Sequence, residues 1–129
     1  MEKKPDIRIF IACHKPTYVP ENSLFYPVQV GAALTNKRFE HMAYRDNEGE
    51  HISEKNPDYC ELTAQYWAWK NMEADYYGFF HYRRYFSFDP DANKEDMWGN
   101  IVYEKISEEA IQEMKLNPEE MKELITKYD

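Results

Sequence analysis

Two short runs of apolar residues predict the strands of an α/β fold. Residues Ile7 to Cys13, IRIFIAC, are mostly β-branched and apolar, which is typical of a parallel strand that is buried on both faces. Residues Tyr76 to Phe80, YYGFF, are rich in the aromatic residues that pack well on a pleated sheet. Because a helix is predicted between the two runs, a parallel, right-handed connection is the expected arrangement.

Helical spacing is clearest in the segment that follows Asn56. Asn56 is a suitable cap and Pro57 fits the first turn, so a helix is predicted from Pro57 to Met72. Its core face is expected to consist of Leu62, Tyr66 and Trp69. Trp67 falls off that face, and a second packing surface explains it better than a place in a pocket.

The segments between these elements are polar or rich in proline. Thr17 to Pro27 is predicted to be an irregular loop. Pro27 to Leu34 is predicted to be either a short helix with proline at its first position or a strand. Lys37 to Ile52 is expected to be a turn-rich, acidic surface loop.

The C-terminal third of the chain predicts a loop and two helices. Ile101 to Tyr103 is at most a short strand, Ser107 caps one helix, and Asn117 starts another. The last helix has an apolar stripe of Met121, Leu124, Ile125 and Tyr128. Residues 1–129 are therefore expected to form a single domain, with its main motifs in 7–88 and the loop and helices in 89–129. Since no further strand follows for the stripe to cover, a longer natural domain is expected.

Composition limits the classes of function. The chain has 24 acidic and 16 basic residues and a net charge of -8, which opposes attraction to nucleic acid or anionic lipid. Cys13 and Cys60 lie far apart without a CxxC motif, so a reduced, cytoplasmic setting is expected, without a disulfide framework or a zinc site. The sequence has neither an apolar run of membrane-spanning length nor the apolar core of a signal peptide.

Basic residues follow both predicted strands. His14 and Lys15 follow the first strand, and His81, Arg83 and Arg84 follow the second. In open α/β sheets ligands bind beyond the carboxyl ends of the strands, so these residues predict one rim of a site for an anionic ligand. The alternative is an edge strand whose arginines are merely solvated.

Acidic residues supply weaker candidates. Asp89 and Asp91 form a D-x-D triplet in a loop beyond the second strand, and such triplets arise easily in an acidic chain. Glu61 lies in the first turn of the predicted helix and is a candidate base, although helix starts favour acids for dipole reasons alone. His41 and His51 have no metal-ligand spacing and are expected at the surface.

Four strings resemble, in this order, the N-terminal half of a family long catalogued only as a domain of unknown function: HKPTY, VGAAL, ISEKNPDYCELTAQYWAWKN and GFFHYRRYF. The family occurs in bacterial capsular and exopolysaccharide biosynthesis proteins and is regarded as a family of glycosyltransferases. The resemblance covers roughly residues 7 to 88. The family usually has asparagine where this chain has His51, which leaves the role of that position open.

The resemblance implies a partial GT-A-like (Rossmann-like) nucleotide-sugar-binding domain with a mainly parallel sheet flanked by helices. It implies transfer of a sugar from a nucleotide sugar, expected to be a UDP-sugar, to a glycan acceptor in the cytoplasm. Membrane association would then be peripheral, through the glycan assembly machinery. Since family members are about twice as long, this chain alone is expected to be inactive. The alternative is a non-catalytic carbohydrate- or protein-interaction module on the same fold.

The resemblance also implies roles for the basic rim. GT-A enzymes usually hold the diphosphate with a divalent cation at a D-x-D motif after a strand, whereas the comparable place here carries His81, Tyr82 and Arg83. Side-chain cations can replace the metal, so Mg²⁺ or Mn²⁺ is only a weak expectation. The residues expected to contact the donor diphosphate or sugar are His14, Lys15, His81, Arg83 and Arg84, with Glu61 and His81 as catalytic candidates.

Overall fold

The computed structural model describes residues 4–91 and 100–128. Contacts between residues divide the chain into two compact units. The first unit consists of Met1–Val19 and Leu24–Tyr85, and the second of Pro20–Ser23 and Phe86–Asp129. No helix within the described ranges is long and apolar enough to cross a membrane.

A parallel sheet with strand order β3-β2-β1-β4 forms the centre of the first unit. Its strands are β1 (Ile7–Cys13), β2 (Phe25–Gln29), β3 (Tyr44–Arg45) and β4 (Tyr76–His81). The two predicted strands, β1 and β4, are confirmed, and they are parallel neighbours, with Ala12 opposite His81. The residues that follow these two strands therefore emerge at the same edge of the sheet.

The strand β2 corrects the interpretation of the proline-rich segment. The predicted loop ends earlier than Pro27, and the helical alternative from Pro27 is wrong because Val28 and Gln29 are buried strand residues. Pro27 is tolerated in β2 because the N–H that proline lacks would face the side of β3, and β3 begins only at Tyr44. On that same side, the carbonyl of Pro27 accepts the backbone N–H of Ala43 at 2.9 Å. A 3₁₀ turn, Ala32–Leu34, follows β2.

The predicted helix from Pro57 to Met72 is two helices, α1 (Asn56–Tyr59) and α2 (Leu62–Asn71). They are separated at Cys60, whose backbone has φ 51° and ψ −127°, a conformation that interrupts helical hydrogen bonding. Asn56 is the first residue of α1 and not its cap. Its side-chain amide instead donates to the carbonyl of Cys60 at 2.8 Å and to Thr63 Oγ1 at 3.1 Å, which joins the two helices.

The face of α2 that packs on the sheet differs from the predicted one. Leu62 and Trp69 are 48% and 67% exposed, whereas Trp67 is only 2% exposed. The small residues Ala64 and Ala68 are buried beside Trp67 and allow the helix to approach the sheet closely. The indole N–H of Trp67 donates to the carbonyl of Glu48 at 2.7 Å, so its burial leaves no unpaired donor. The core of the first unit therefore includes Trp67, packed edge-on against Phe10 and tilted against Tyr44.

A buried carboxylate joins the loop after β2 to the start of α2. Asp46 is fully buried, although its segment was predicted to be a surface loop. It accepts hydrogen bonds from the backbone N–H groups of Gly31 (2.8 Å) and Ala32 (3.1 Å). It also accepts from the hydroxyls of Ser53 (2.6 Å) and Thr63 (2.7 Å). The φ of 67° at Gly31 turns both N–H groups toward the same carboxylate, an anion-binding arrangement of the backbone.

The second unit contains α3 (Glu108–Glu113) and α4 (Pro118–Lys127). The predicted caps are confirmed, because Ser107 Oγ and Asn117 Oδ1 accept backbone N–H bonds of 3.1 and 2.9 Å at the two helix starts. Of the predicted stripe on α4, Met121 is fully buried and Tyr128 is exposed. Residues 101–103 form no strand, and the part of the predicted loop from 92 to 99 lies outside the described residues.

Replacing Trp67 by Ala is expected to lower the free energy of unfolding by about 3–5 kcal/mol, because it removes a buried indole and leaves a cavity. Trp69→Ala on the same helix is the matched control and should change it by less than about 0.5 kcal/mol, since Trp69 is mostly exposed. Urea denaturation of both variants measures the difference. Equal losses for the two tryptophans would contradict the observed packing face.

Replacing Asp46 by Ala is expected to cost at least about 3 kcal/mol of stability, because two backbone N–H groups and two hydroxyls lose their acceptor. Asp46→Asn should cost less, since the amide oxygen still accepts some of these bonds. Glu73→Ala, which removes an exposed acid, should change stability little. Thermal unfolding of the three variants at one pH tests this order, and an Asp46→Ala protein as stable as the Glu73 variant would refute it.

Candidate functional site

A cleft of about 310 Å³ opens at the edge of the sheet where β1 and β4 end. His14 comes directly after β1, and His81 is the last residue of β4. Both of them line the cleft, together with residues that follow β2 or belong to the α1 region. The full lining consists of Ala12, His14, Val30, Asn56, Pro57, Cys60, Glu61 and His81.

The predicted site residues divide into two groups. His14, Glu61 and His81 line the cleft, and the imidazole rings of the two histidines are 6.2 Å apart, centroid to centroid. The three cations expected in the site are exposed and do not belong to the lining: Lys15, Arg83 and Arg84. Of the predicted site residues, the cleft therefore contains the two imidazoles and the carboxylate, and the three cations lie on the adjoining turns.

Tyr82 is the side chain around which this basic region is packed. It is only 3% exposed, and its ring lies edge-on to the ring of His14 at 4.8 Å. The Nζ of Lys15 and the Cζ of Arg83 lie 5.7 and 5.2 Å from the centre of the same ring, within the range of a cation–π contact. Tyr82 thus brings a residue after β1 and a residue after β4 to one place.

The residues after β4 turn back sharply. The backbone N–H of Arg84 donates to the carbonyl of His81 at 2.8 Å, and that of His81 donates to the carbonyl of Arg84 at 3.1 Å. This turn carries Arg83 and Arg84 away from the strand axis. Among the residues that the structure describes, neither arginine nor Lys15 forms an ion pair. Their charges are therefore available to a bound anion.

Burial holds the pKa of His81 below the ordinary value of a histidine. The carboxylate of Glu61 opposes this shift, and the charges of Arg83, Arg84 and His14 reinforce it. The backbone N–H of Arg83 also donates to His81 Nδ1 at 3.2 Å. Burial thus favours the neutral imidazole of His81, and its Nδ1 is positioned to accept a hydrogen bond.

Glu61 is held at the junction of the two short helices. It precedes α2, and its side chain makes no capping hydrogen bond to that helix. The neighbouring Cys60 has the positive φ that a side-chain-bearing residue rarely adopts, a feature that concentrates at functional sites. Glu61 thus lines the cleft from an exposed position beside this turn, close enough for its charge to act on His81.

The weak metal candidates, Asp89 and Asp91, belong to the second unit. Asp89 Oδ1 accepts the backbone N–H of Asp91 at 3.0 Å and lies 3.9 Å from Lys115 Nζ, so this carboxylate already has local partners. In residues 4–91 and 100–128, no group of three histidine, cysteine or acidic side chains could hold a metal ion.

The two remaining histidines lie outside the cleft lining. His41 is exposed at a positive φ of 64°. His51 is partly buried, where its Nδ1 accepts the backbone N–H of Ser53 at 3.2 Å and lies 3.5 Å from a carboxylate oxygen of Glu54. The expected surface position is confirmed for His41, whereas His51 is partly buried.

Sequence reasoning missed two polar residues of the lining, Asn56 and Cys60, and also Tyr82, which packs beside the cleft. Asn56 was interpreted as a helix cap, and Cys60, which is exposed, was considered only as a possible disulfide or zinc ligand. Tyr82 follows the alternation of β4, in which Phe80 is buried and His81 is partly exposed. Extending that alternation by one step would have predicted that Tyr82 is buried.

The two cysteines should differ sharply in reactivity. Both are free, and burial raises the pKa of Cys13 to about 12, so at pH 8 only about one part in 10⁴ of it is thiolate. Cys60 is exposed at the cleft. Iodoacetamide at pH 8 should therefore alkylate Cys60 and spare Cys13, as measured by mass spectrometry of the peptides. Equal alkylation of both in the folded protein would contradict the burial of β1.

Comparison with known proteins gives this geometry a context. The chain is similar to the apo structure of the bifunctional glycosyltransferase WbbM, with a TM-score of 0.86 and 38% sequence identity. The similarity covers 93% of this chain and 21% of that one, so the chain spans a small part of WbbM. The expected relationship to glycosyltransferases is thus confirmed at the level of fold.

No curated protein matches the chain. A family match covers residues 8–129, nearly the whole sequence, and extends the expected resemblance well beyond residue 88. The chain therefore belongs to the family described as the domain of unknown function DUF4422.

Proposed function

We propose that this chain is the donor-binding part of a glycosyltransferase, which transfers a sugar from a nucleotide sugar to a glycan acceptor. The observation that supports the proposal most directly is the cleft where β1 and β4 end, with His14, Glu61 and His81 in its lining. Ligands of open α/β sheets bind at this edge. The likeness of the fold to WbbM agrees with this class of reaction.

The charges around the cleft favour a diphosphate. The chain is acidic overall, with a net charge of -8, yet Lys15, Arg83 and Arg84 are grouped beside this edge and form no ion pair among the described residues. An arginine can bind phosphate through two parallel hydrogen bonds, and a lysine through a point charge. Such cations stabilise the negative charge that develops on a departing nucleoside diphosphate.

The size and lining of the cleft suit the sugar of the donor. A volume of about 310 Å³ is at the lower end for a small-molecule site, which leaves the remainder of a nucleotide sugar to the adjoining turns. Glu61 is the acidic residue of the lining. It is the group we assign to accepting the proton of the acceptor hydroxyl, because a carboxylate within reach of the donor can act as general base.

The cellular setting follows from the same proposal. The donor is a UDP-sugar, the acceptor is a growing glycan, and the process is capsular or exopolysaccharide synthesis on the cytoplasmic side, with peripheral association through the glycan assembly machinery. Diphosphate binding by side-chain cations makes Mg²⁺ and Mn²⁺ dispensable for donor binding. The chain contributes the donor side, and the remainder of the full-length protein contributes to the acceptor side.

Calorimetry of the full-length protein with nucleotides and nucleotide sugars, with and without Mg²⁺ or Mn²⁺, tests the proposal. We expect UDP and a UDP-sugar to bind without metal, and Arg83→Ala and Lys15→Ala each to weaken binding about tenfold or more, as expected for a charged hydrogen bond. Lys70→Ala is the matched control, since Lys70 is a lysine of α2 that contacts Trp69 and Glu50 outside the cleft. It should leave the affinity unchanged.

Cys60 provides a second readout, because it lines the cleft. A bound UDP-sugar should slow its alkylation by iodoacetamide. If no nucleotide binds under any of these conditions and alkylation of Cys60 is unaffected, the donor-binding proposal is wrong and a non-catalytic interaction module becomes the better account. Binding that is lost equally in the Lys70 variant would show that the assigned cations are not specific to the site.

A further inference from the structure

The hydrogen bonds of the two cleft histidines assign their protons. His81 Nδ1 lies 3.2 Å from the backbone N–H of Arg83, which has a proton to donate and no lone pair to offer. A ring nitrogen that accepts a hydrogen bond is unprotonated, so neutral His81 carries its proton on Nε2. Since the peptide group fixes the direction of this bond, the assignment needs no assumption about a neighbouring side chain.

His14 has the opposite arrangement. Its Nε2 lies 3.4 Å from the hydroxyl of Tyr82, and the structure describes no other hydrogen-bond partner for that hydroxyl. Tyr82 is 3% exposed, and a buried O–H without an acceptor is unfavourable. The hydroxyl therefore donates to His14 Nε2, which places the imidazole proton of His14 on Nδ1.

We propose that His14 and His81 are neutral imidazoles of opposite tautomer, and that their outer nitrogens, Nδ1 of His14 and Nε2 of His81, donate N–H hydrogen bonds to a phosphate oxygen of the ligand. Neither histidine then acts as a general base, because the lone pair of each ring already accepts a hydrogen bond within the protein. The identity of the ligand rests on the proposed donor function. The assignment of the tautomers does not depend on that function.

The charges around His81 favour its neutral form. The groups that act on His81 are Glu61, Arg83, Arg84 and His14, and only Glu61 favours the imidazolium. Protonation of His81 Nδ1 would also point its new N–H at the backbone N–H of Arg83 and abolish that bond. The neighbours of His14 are Lys15, which shares the Tyr82 ring with it, Tyr82 itself and His81.

The assignment gives the two histidines a role that differs from that of the cations. A neutral N–H donor keeps its proton as the pH rises, so its contribution to phosphate binding does not require an imidazolium. It also removes His81 from the candidate bases. Among the described residues that line the cleft, Glu61 is then the carboxylate left to take a proton.

Nitrogen-15 NMR of histidine in the full-length protein tests the tautomers directly at pH 7.5. We expect the chemical shift of an unprotonated nitrogen at Nδ1 of His81 and at Nε2 of His14, with assignments confirmed by the loss of each signal in His81→Gln and His14→Asn proteins. The same tautomer at both positions, or an imidazolium at either, would overturn the proposal.

Amide substitutions test the donors, since the side-chain nitrogen of Gln lies near the position of Nε2 and that of Asn near Nδ1. We expect His81→Gln to keep the affinity for UDP within about threefold and His81→Asn to weaken it about tenfold. The order should be reversed at the other histidine, with His14→Asn tolerated and His14→Gln impaired. His41→Asn and His41→Gln are matched controls at an exposed histidine outside the lining, and both should bind as the unaltered protein does.

The pH dependence separates the two protonation states. UDP carries its full charge above about pH 7, so its affinity should stay constant from there to pH 8.5 if the donors are neutral. An affinity that falls steeply over this range would indicate imidazolium contacts and contradict the proposal. If the tautomers are as assigned but neither UDP nor pyrophosphate binds, the proposed donor function is wrong. If UDP binds but the order of the Gln and Asn variants is the same at both histidines, the histidine assignment is wrong and the donor function stands.

Discussion

The carboxylate of Asp46 is the interaction on which the cleft depends. It is fully buried, and in the described part of the chain its partners are two backbone N–H groups and the hydroxyls of Ser53 and Thr63, with no cation among them. A buried charge without a counter-ion is tolerated only when hydrogen bonds replace its hydration. These bonds join the turn after β2 to the start of α2, and they hold the wall that carries Glu61 beside the ends of β1 and β4.

The parts of the fold that sequence predicts well are those with a local cause. The apolar runs of β1 and β4 are sufficient to indicate buried parallel strands, and the caps at Ser107 and Asn117 depend on residues three positions away. The burial of Asp46 has no such local signal, because its four donors come from three different segments. The packing face of α2 was missed for a related reason. Helical spacing alone favoured the larger residues Leu62, Tyr66 and Trp69, whereas the small residues beside Trp67 determine which face of the helix packs closely on the sheet.

The candidate site was predicted as one basic rim, and the structure separates it into a cleft and its surroundings. The strand ends correctly placed His14 and His81 at one edge, since parallel neighbours deliver their following residues together. The tight turn from His81 to Arg84 could not be inferred from composition, and it moves both arginines out of the lining. Tyr82 links the two groups, because its buried ring contacts His14, Lys15 and Arg83. The resulting arrangement is a cleft that contains two imidazoles and the carboxylate of Glu61, with three cations on the adjoining turns.

The central claim is that the edge where β1 and β4 end binds the nucleotide donor. A crystal structure of the full-length protein with a UDP-sugar tests it most directly. The account predicts a diphosphate oxygen within hydrogen-bond distance of His14 Nδ1 and His81 Nε2, with Arg83 or Lys15 on the same phosphates and Glu61 facing the sugar. A nucleotide bound elsewhere, for example on the exposed aromatic surface of α2 at Tyr66 and Trp69, would contradict it.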